Sequence, residues 1–177
     1  ESAHHHRISG HPVVSRPVVA TLLASPILWI FRQGPVRGPL LAMTAPTRRR
    51  TRAREIAMQI LFQADLRGAA LLAEFGSEFG KTIDELCASE SQGEADVGEF
   101  ASRLVTGTIE HRKAIDTRLQ GVTRNWDLRR MATVDRNVLR MAIYELTHCG
   151  DVPPKVSINE AIDLAKKYST ANSGGFC

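Results

Sequence analysis

The sequence predicts an all-α helical bundle, and three observations support this prediction. Apolar residues recur at three- and four-residue steps through most of residues 52–168, which is the spacing of one helical face. No segment alternates apolar and polar residues with the period of two that half-buried strands show. The chain has 177 residues, of which 43% are apolar, enough for one buried core without disulfides or a structural metal. This composition excludes collagen-like, disulfide-scaffold and wholly disordered chains.

The first 46 residues differ in composition from the remainder. They contain six prolines, almost no acidic residues and no helical periodicity. Their apolar run, residues 18–31, is 14 residues long and is interrupted by Pro26, whereas a bilayer span needs about 20 residues. We therefore expect residues 1–46 to be a disordered or non-native extension with no membrane span, with Met43 as the natural start. The domain is expected to cover residues 47–177, and a secretory signal is the alternative interpretation of the apolar run.

The first half of the domain shows three helical stretches. Residues 52–66 place their apolar side chains on one helical face, and Gly68 follows as a helix stop. Residues 69–90 contain two shorter candidates separated by glycines. A long apolar stripe over residues 97–122 fits either one helix or two helices joined near Arg112.

The second half contains the most apolar segment of the domain, residues 134–149. Its apolar side chains surround most of the helix circumference, which favours a position in the middle of a bundle. Gly150 and the Pro153-Pro154 pair cannot continue this helix. The S-x-x-E pattern at residues 157–160 has the form of a capping box, which predicts a final helix that starts there and runs to about Tyr168.

An arginine cluster lies where the extension is expected to become a helix. Residues 47–177 carry 19 basic and 18 acidic side chains, and removing the five clustered arginines leaves 14 basic against 18 acidic. The positive charge is therefore local. Guanidinium forks match phosphate oxygens and stack on bases, and arginine-rich arms order on single-stranded or looped RNA. We predict RNA as the partner of this arm, with a merely solvated basic arm as the alternative. The cluster consists of Arg48, Arg49, Arg50, Arg52 and Arg54.

No enzymatic constellation is recognisable in the sequence. There is no glycine-rich phosphate loop, no nucleophile elbow and no H-E-x-x-H pattern. Glu145 and His148 have the Glu-x-x-His spacing of di-iron bundles, but only one copy exists. Cys87, Cys149 and Cys177 form no C-x-x-C pair, and their odd number favours a reducing, cytosolic compartment. We therefore predict no catalysis, no cofactor, no metal site and a cytoplasmic location.

Three blocks of sequence resemble the bacterial NusB family of transcription antitermination factors. The first follows the arginine cluster and reads R-E-I-A-M-Q-I-L-F at residues 54–62. The second reads D-R-N-V-L-R-M-A-I-Y-E-L at residues 135–146. The third, D-V-P-P-K-V-S-I-N-E-A-I-D-L-A-K-K-Y at residues 151–168, resembles the most recognisable stretch of that family. Together they cover roughly residues 48–176, in the order and spacing of the family.

The resemblance implies a fold of two packed helical subdomains, each of three to four helices, that exists as a monomer or a homodimer. It also implies binding to boxA RNA of nascent rRNA, together with the small-subunit ribosomal protein NusE. That pair joins a complex on RNA polymerase which suppresses premature termination, without catalysis.

The resemblance also implies roles for particular residues of this chain. Arg50, Arg52 and Arg54 match the RNA-binding arm of the family, and Arg48 and Arg49 extend it. Phe62 matches an aromatic position, usually Tyr, that packs against NusE, and Asp135 matches an acidic position at the same interface.

The chain departs from the family pattern near its C-terminus. Asn172 and Gly175 stand where family members often carry an acidic residue and a lysine near the RNA surface, so Asn172 is a further candidate RNA contact. The family continues after Phe176 with one more helix, so we expect the C-terminal helix to be truncated. Two alternatives remain open at this point: a NusB-like domain detached from an rRNA cytosine methyltransferase, and a helical protein-interaction module.

Overall fold

The computed structural model describes residues 45–68, 78–122 and 127–169, and within them every regular element is helical. The all-α prediction is confirmed for this part of the chain. A short 3-10 turn, Leu128–Arg130, connects the fourth and fifth helices. The six α-helices are α1 (Ala45–Arg67), α2 (Phe79–Glu90), α3 (Ala95–Glu110), α4 (Arg112–Val122), α5 (Thr133–His148) and α6 (Pro154–Tyr168).

Helix α1 begins earlier than its apolar pattern predicted, at Ala45 instead of Arg52. Arg48, Arg49 and Arg50 therefore lie within the helix, whereas the pattern placed them in a segment that precedes it. The end of α1 agrees with the prediction, because Gly68 adopts the left-handed φ of 61° that favours glycine. Its N–H donates to the carbonyl of Ala64 at 2.9 Å and so satisfies one of the last carbonyls of the helix.

The stripe over residues 97–122 forms two helices, α3 and α4, which confirms the second of the two expectations. The break falls at His111, next to Arg112, where the predicted junction lies. Of the two candidates within residues 69–90, the second is α2, and the first lies outside the described residues.

The capping-box prediction for the last helix is wrong. Helix α6 begins at Pro154, with Pro153 in the N-cap position, because the fixed φ of proline suits the first turn of a helix. Ser157 is inside the helix and donates its hydroxyl to Oε1 of Glu145 on α5, at 2.8 Å. Glu160 accepts a hydrogen bond from the hydroxyl of Thr51 at 3.0 Å. Both side chains join helices together and do not cap one.

Helix α5 lies in the middle of the bundle, in contact with α1, α3, α4 and α6. This confirms the position that its apolar composition predicted. Its buried face is less apolar than expected, because half of its buried residues are polar or charged, and Leu146 is exposed. Those polar buried residues are Asp135, Asn137, Arg140 and Glu145.

The core is built around the contact of α1 with α3 and α5. Ala53 and Ala57 are fully buried, and their small side chains let the neighbouring helices approach α1 closely. The buried apolar residues of α1 are Ala53, Ile56, Ala57, Met58, Ile60, Leu61 and Ala64.

None of the helices in the described part of the chain combines the length and apolar character needed to cross a bilayer.

A network of ion pairs and hydrogen bonds joins the C-terminal half of α1 to α4 and α5. The carboxylate of Asp65 accepts hydrogen bonds from Arg136 Nη2 at 2.6 Å, from Arg112 Nη2 at 2.7 Å and from Arg140 Nη1 at 3.1 Å. Arg140 also forms a forked pair with Asp116 on α4. Burial alone would raise the pKa of Asp65, but the hydrogen bond from Arg136 and the charges of the three arginines hold it below its ordinary value.

Candidate nucleic-acid interface

The arginines of α1 point in different directions, because successive residues of a helix are rotated by about 100°. Arg48, Arg49 and Arg50 are exposed, Arg52 is partly buried and Arg54 is buried. The N-terminal end of α1 therefore presents a group of guanidinium ions to solvent, and we call Arg48, Arg49 and Arg50 the arginine surface.

Arg49 faces the start of α3. Its Nη1 lies 3.1 Å from Oδ2 of Asp96, and its Nε lies 3.4 Å from Oε2 of Glu94. The Arg49 side chain nevertheless keeps 54% of its surface exposed. An ion pair that is so exposed contributes about 0–1 kcal/mol to stability, so a phosphate can replace the carboxylates at little cost.

Arg50 contacts an aromatic ring as well as a carboxylate. Its guanidinium carbon lies 4.0 Å from the centre of the Phe100 ring, and its Nη1 lies 3.3 Å from Oδ2 of Asp151. Phe100 is buried in α3, so the aromatic face is a fixed support for the cation. The side chain of Arg50 remains 46% exposed and can still reach a ligand.

Arg52 lies at the border of the arginine surface. Its Nη2 donates to the carbonyl of Glu90, the last residue of α2, at 3.1 Å. Its Nε is buried and has no hydrogen-bond partner among the described residues. Part of this side chain therefore links α1 to the end of α2, where a cation is also favoured by the helix dipole.

The structure corrects the expectation that Arg54 belongs to the RNA-binding set. Its side chain is 2% exposed and is paired with the equally buried carboxylate of Glu145 on α5. A phosphate could reach this guanidinium only if the packed helices α1 and α5 separated. Arg54 is a structural residue, and the exposed set is reduced to the arginine surface and part of Arg52.

The two residues predicted at the protein interface lie in different surroundings. Phe62 is partly buried and packs against the core from α1, and Leu66, one turn later, is exposed. Asp135 is 8% exposed in the first turn of α5, where the helix dipole favours a carboxylate. It therefore presents little surface to a partner, contrary to the expectation for it. Asn172 lies outside the described residues.

The buried acidic residue Glu145 was missed as a partner of the arginine cluster by reasoning from the sequence. In the sequence, Glu145 stands out only through its Glu-x-x-His spacing to His148. A carboxylate within the most apolar helix was the available signal, because a buried charge requires a partner. Within the described residues, no group of three or more His, Cys, Asp or Glu side chains could hold a metal ion.

Comparison with known sequences and structures identifies the family. The NusB family model matches residues 51–177. The transcription antitermination protein NusB of Anaeromyxobacter dehalogenans strain 2CP-1 is 47% identical over 130 residues, which cover 73% of this chain and 85% of that protein. The NusB protein of Syntrophus aciditrophicus is 42% identical over 129 residues, covering 73% of this chain and 74% of that protein.

Solved structures agree with the sequence comparison. A crystal form of T. maritima NusB superposes with a TM-score of 0.59 at 34% identity, covering 76% of this chain and 86% of that one. A crystal structure of the antitermination factors NusB and NusE in complex with double-stranded RNA superposes with a TM-score of 0.57 at 26% identity. It covers 75% of this chain and 91% of that one. This chain therefore belongs to the NusB family of transcription antitermination proteins.

Proposed function

We propose that this antitermination factor acts by binding boxA-type RNA of rRNA operons in the cytoplasm, together with the ribosomal protein NusE. In this proposal it carries out no catalysis and promotes processive transcription by RNA polymerase. The observation that carries the proposal is the arginine surface, which places three exposed guanidinium groups at one end of α1.

The charge distribution supports an anionic ligand at this end of the molecule. Arg49 and Arg50 are each about half exposed, although both have carboxylate neighbours. RNA offers a row of phosphates, and each phosphate can exchange with a weak surface carboxylate in one guanidinium fork. The release of counterions from RNA adds a favourable term that depends on salt.

A protein partner is supported by the relative whose structure contains NusE and RNA. On this chain we place the NusE contact around Phe62, which is partly exposed on α1. Leu66 is exposed one turn later on the same face and adds an apolar contact. Asp135 is buried, so we do not place it in direct contact with the partner.

Binding of a single-stranded boxA RNA, measured at several salt concentrations, tests the RNA part of the proposal. Replacing Arg48, Arg49 and Arg50 with alanine should lower the affinity at least tenfold. It should also reduce the slope of log K against log salt by about 0.7 for each lost phosphate contact. The matched control removes three exposed arginines from the other end of the bundle: Arg118, Arg129 and Arg130.

The control separates a specific surface from the general effect of charge. If both triple variants lose the same affinity and slope, the arginine surface is not the RNA site. Unchanged binding in the first variant would favour the interpretation of the arginines as solvating groups on a protein-interaction module.

A further inference from the structure

Asp151 lies between two arginines that come from different helices. Its Oδ2 is 3.3 Å from Nη1 of Arg50 on α1, and its Oδ1 is 2.8 Å from Nη1 of Arg103 on α3. All three side chains are exposed to between 41% and 46%. One carboxylate thus neutralises only one of two guanidinium charges, and the positive surface continues from α1 onto α3.

The hydrogen bonds of Asp151 keep it in the carboxylate form. Burial would raise its pKa, but the hydrogen bond from Arg103, a backbone hydrogen bond and the charges of both arginines hold the pKa below its ordinary value. Asp151 therefore orients the two guanidinium groups at every pH near neutrality and leaves their outer edges in solvent.

Arg103 connects this charge pair to a group of aromatic rings at the C-terminal end of α5. Its Nη2 donates to the backbone carbonyl of His148 at 3.3 Å. The imidazole of His148 stacks on the Tyr144 ring, with the ring centres 4.9 Å apart and the planes 11° apart. The ring of His111 lies 4.2 Å from that of His148 and 5.7 Å from that of Tyr144.

The ring centres of Tyr144 and His111 lie in directions less than a right angle apart, as seen from the ring centre of His148. His148 itself is exposed. Part of its ring is therefore accessible to a ligand.

The ring group is fixed before any ligand arrives. Nδ1 of His111 lies 2.9 Å from the carbonyl of Gly107, and Nδ1 of His148 lies 2.7 Å from the hydroxyl of Thr147. Tyr144 is buried beneath them. Stacking on such a surface costs little conformational entropy, because the side chains that form it are already ordered.

We propose that the RNA-binding surface of this chain extends from Arg50 across Asp151 to Arg103 and His148. Arg103 binds a phosphate, and the exposed ring of His148 stacks on an unpaired base. The proposal rests on the proposed RNA-binding function and adds a second contact region to it. The proposed ligand is single-stranded RNA, because the faces of bases within a duplex are already stacked on neighbouring bases and cannot stack on a side-chain ring.

The experiment compares three single variants of the full chain for binding to a fluorescent single-stranded boxA RNA: His148→Ala, His148→Phe and Arg103→Ala. Base stacking on an aromatic side chain contributes about 1–3 kcal/mol, so His148→Ala should weaken binding about 5- to 150-fold. His148→Phe keeps a ring in place and should restore most of the affinity. Arg103→Ala should reduce the salt slope by about 0.7.

Two further measurements make the result decisive. A series of RNAs with one base removed at a time should contain one position at which wild-type and His148→Ala chains bind equally well. Circular dichroism should show the same helical content for all chains, since His148 and Arg103 are exposed and lie outside the core. Lys113→Ala, a change of an exposed cation on α4, is the matched control for charge and should leave the slope unchanged.

The outcomes separate this inference from the function on which it rests. If wild-type chain binds the RNA with a strong salt dependence but His148→Ala and Arg103→Ala bind as wild type does, the extension is wrong and the arginine surface stands. Equal losses in His148→Ala and His148→Phe would also overturn the stacking role. If wild-type chain shows no salt-dependent binding, the proposed function itself fails.

Discussion

Arg54 and Glu145 are joined by a forked ion pair inside the bundle. Nε of Arg54 lies 2.9 Å from Oε2 of Glu145, and Nη2 lies 2.6 Å from Oε1. The hydroxyl of Ser157 donates to the same carboxylate, so that α1, α5 and α6 meet at one buried charge pair. The pair anchors the half of α1 that carries the arginine surface.

Removing the carboxylate of this pair should be severely destabilising. Glu145→Ala leaves the guanidinium of Arg54 buried without its principal counter-charge, which costs about 3–5 kcal/mol of the free energy of unfolding. Urea denaturation followed by circular dichroism measures the loss. Glu99→Ala, which removes an exposed carboxylate from α3, is the control and should change stability by less than about 0.5 kcal/mol. A loss below about 1 kcal/mol in Glu145→Ala would contradict the structural role of the pair.

The second carboxylate near Arg54, that of Glu160, should have the opposite effect on stability. Nη1 of Arg54 lies 3.5 Å from Glu160, yet burial raises the pKa of Glu160 above its ordinary value in spite of this charge. The folded state therefore holds the Glu160 proton more tightly than the unfolded state, and the ionised form costs stability as the pH rises.

We accordingly expect the stability of Glu160→Gln, relative to that of wild type, to increase from pH 4 to pH 7.5. The amide still offers an oxygen to the hydroxyl of Thr51, which now donates to the carboxylate. Urea denaturation of both chains at the two pH values gives the difference in free energy of unfolding. If the variant instead loses stability relative to wild type as the pH rises, the attraction of Arg54 for the carboxylate outweighs the cost of burying it.

Acid should weaken the network around Asp65. The pKa of this carboxyl is held below its ordinary value, so its contribution to stability is present above about pH 4 and is lost as the pH falls through the folded-state pKa. Asp65→Asn removes the charge that faces Arg112, Arg136 and Arg140 and should cost about 3–5 kcal/mol at pH 7. The cost should shrink when denaturation is repeated at pH 3. Asp163→Asn on the exposed face of α6 serves as the control, and a cost independent of pH would contradict the assignment.

The buried thiols should resist modification in the folded chain. Burial, with the nearby charges of Asp84 and Glu90, raises the pKa of Cys87 to about 12, and burial also raises the pKa of Cys149. Both residues are therefore almost entirely in the unreactive thiol form at pH 8. In a Cys177→Ser chain, Ellman's reagent should detect two thiols in guanidinium chloride and react slowly with the native protein. Rapid reaction of both thiols without denaturant would show that the α2 and α5 regions open readily.

The positions of the helices follow from local properties of the chain. Apolar spacing located α1, α3, α4 and α5, and the Pro153-Pro154 pair marked the end of one helix and, in the structure, the start of the next. The arginine cluster and the family blocks were likewise visible without coordinates. These features depend on residues that are close together in sequence, and the same rules of helix geometry apply to them in any fold.

The sequence by itself established an all-helical member of the NusB family with one arginine-rich helix end. Only the tertiary structure decided that Arg49 and Arg50 face solvent while Arg54 is buried against Glu145, 91 residues away. It also brought Arg103 and His148 beside Arg50 through Asp151. The physical reason is that helical periodicity gives the relative directions of side chains on one helix. Which direction points inward depends on the helices that pack against it, and those are distant in sequence.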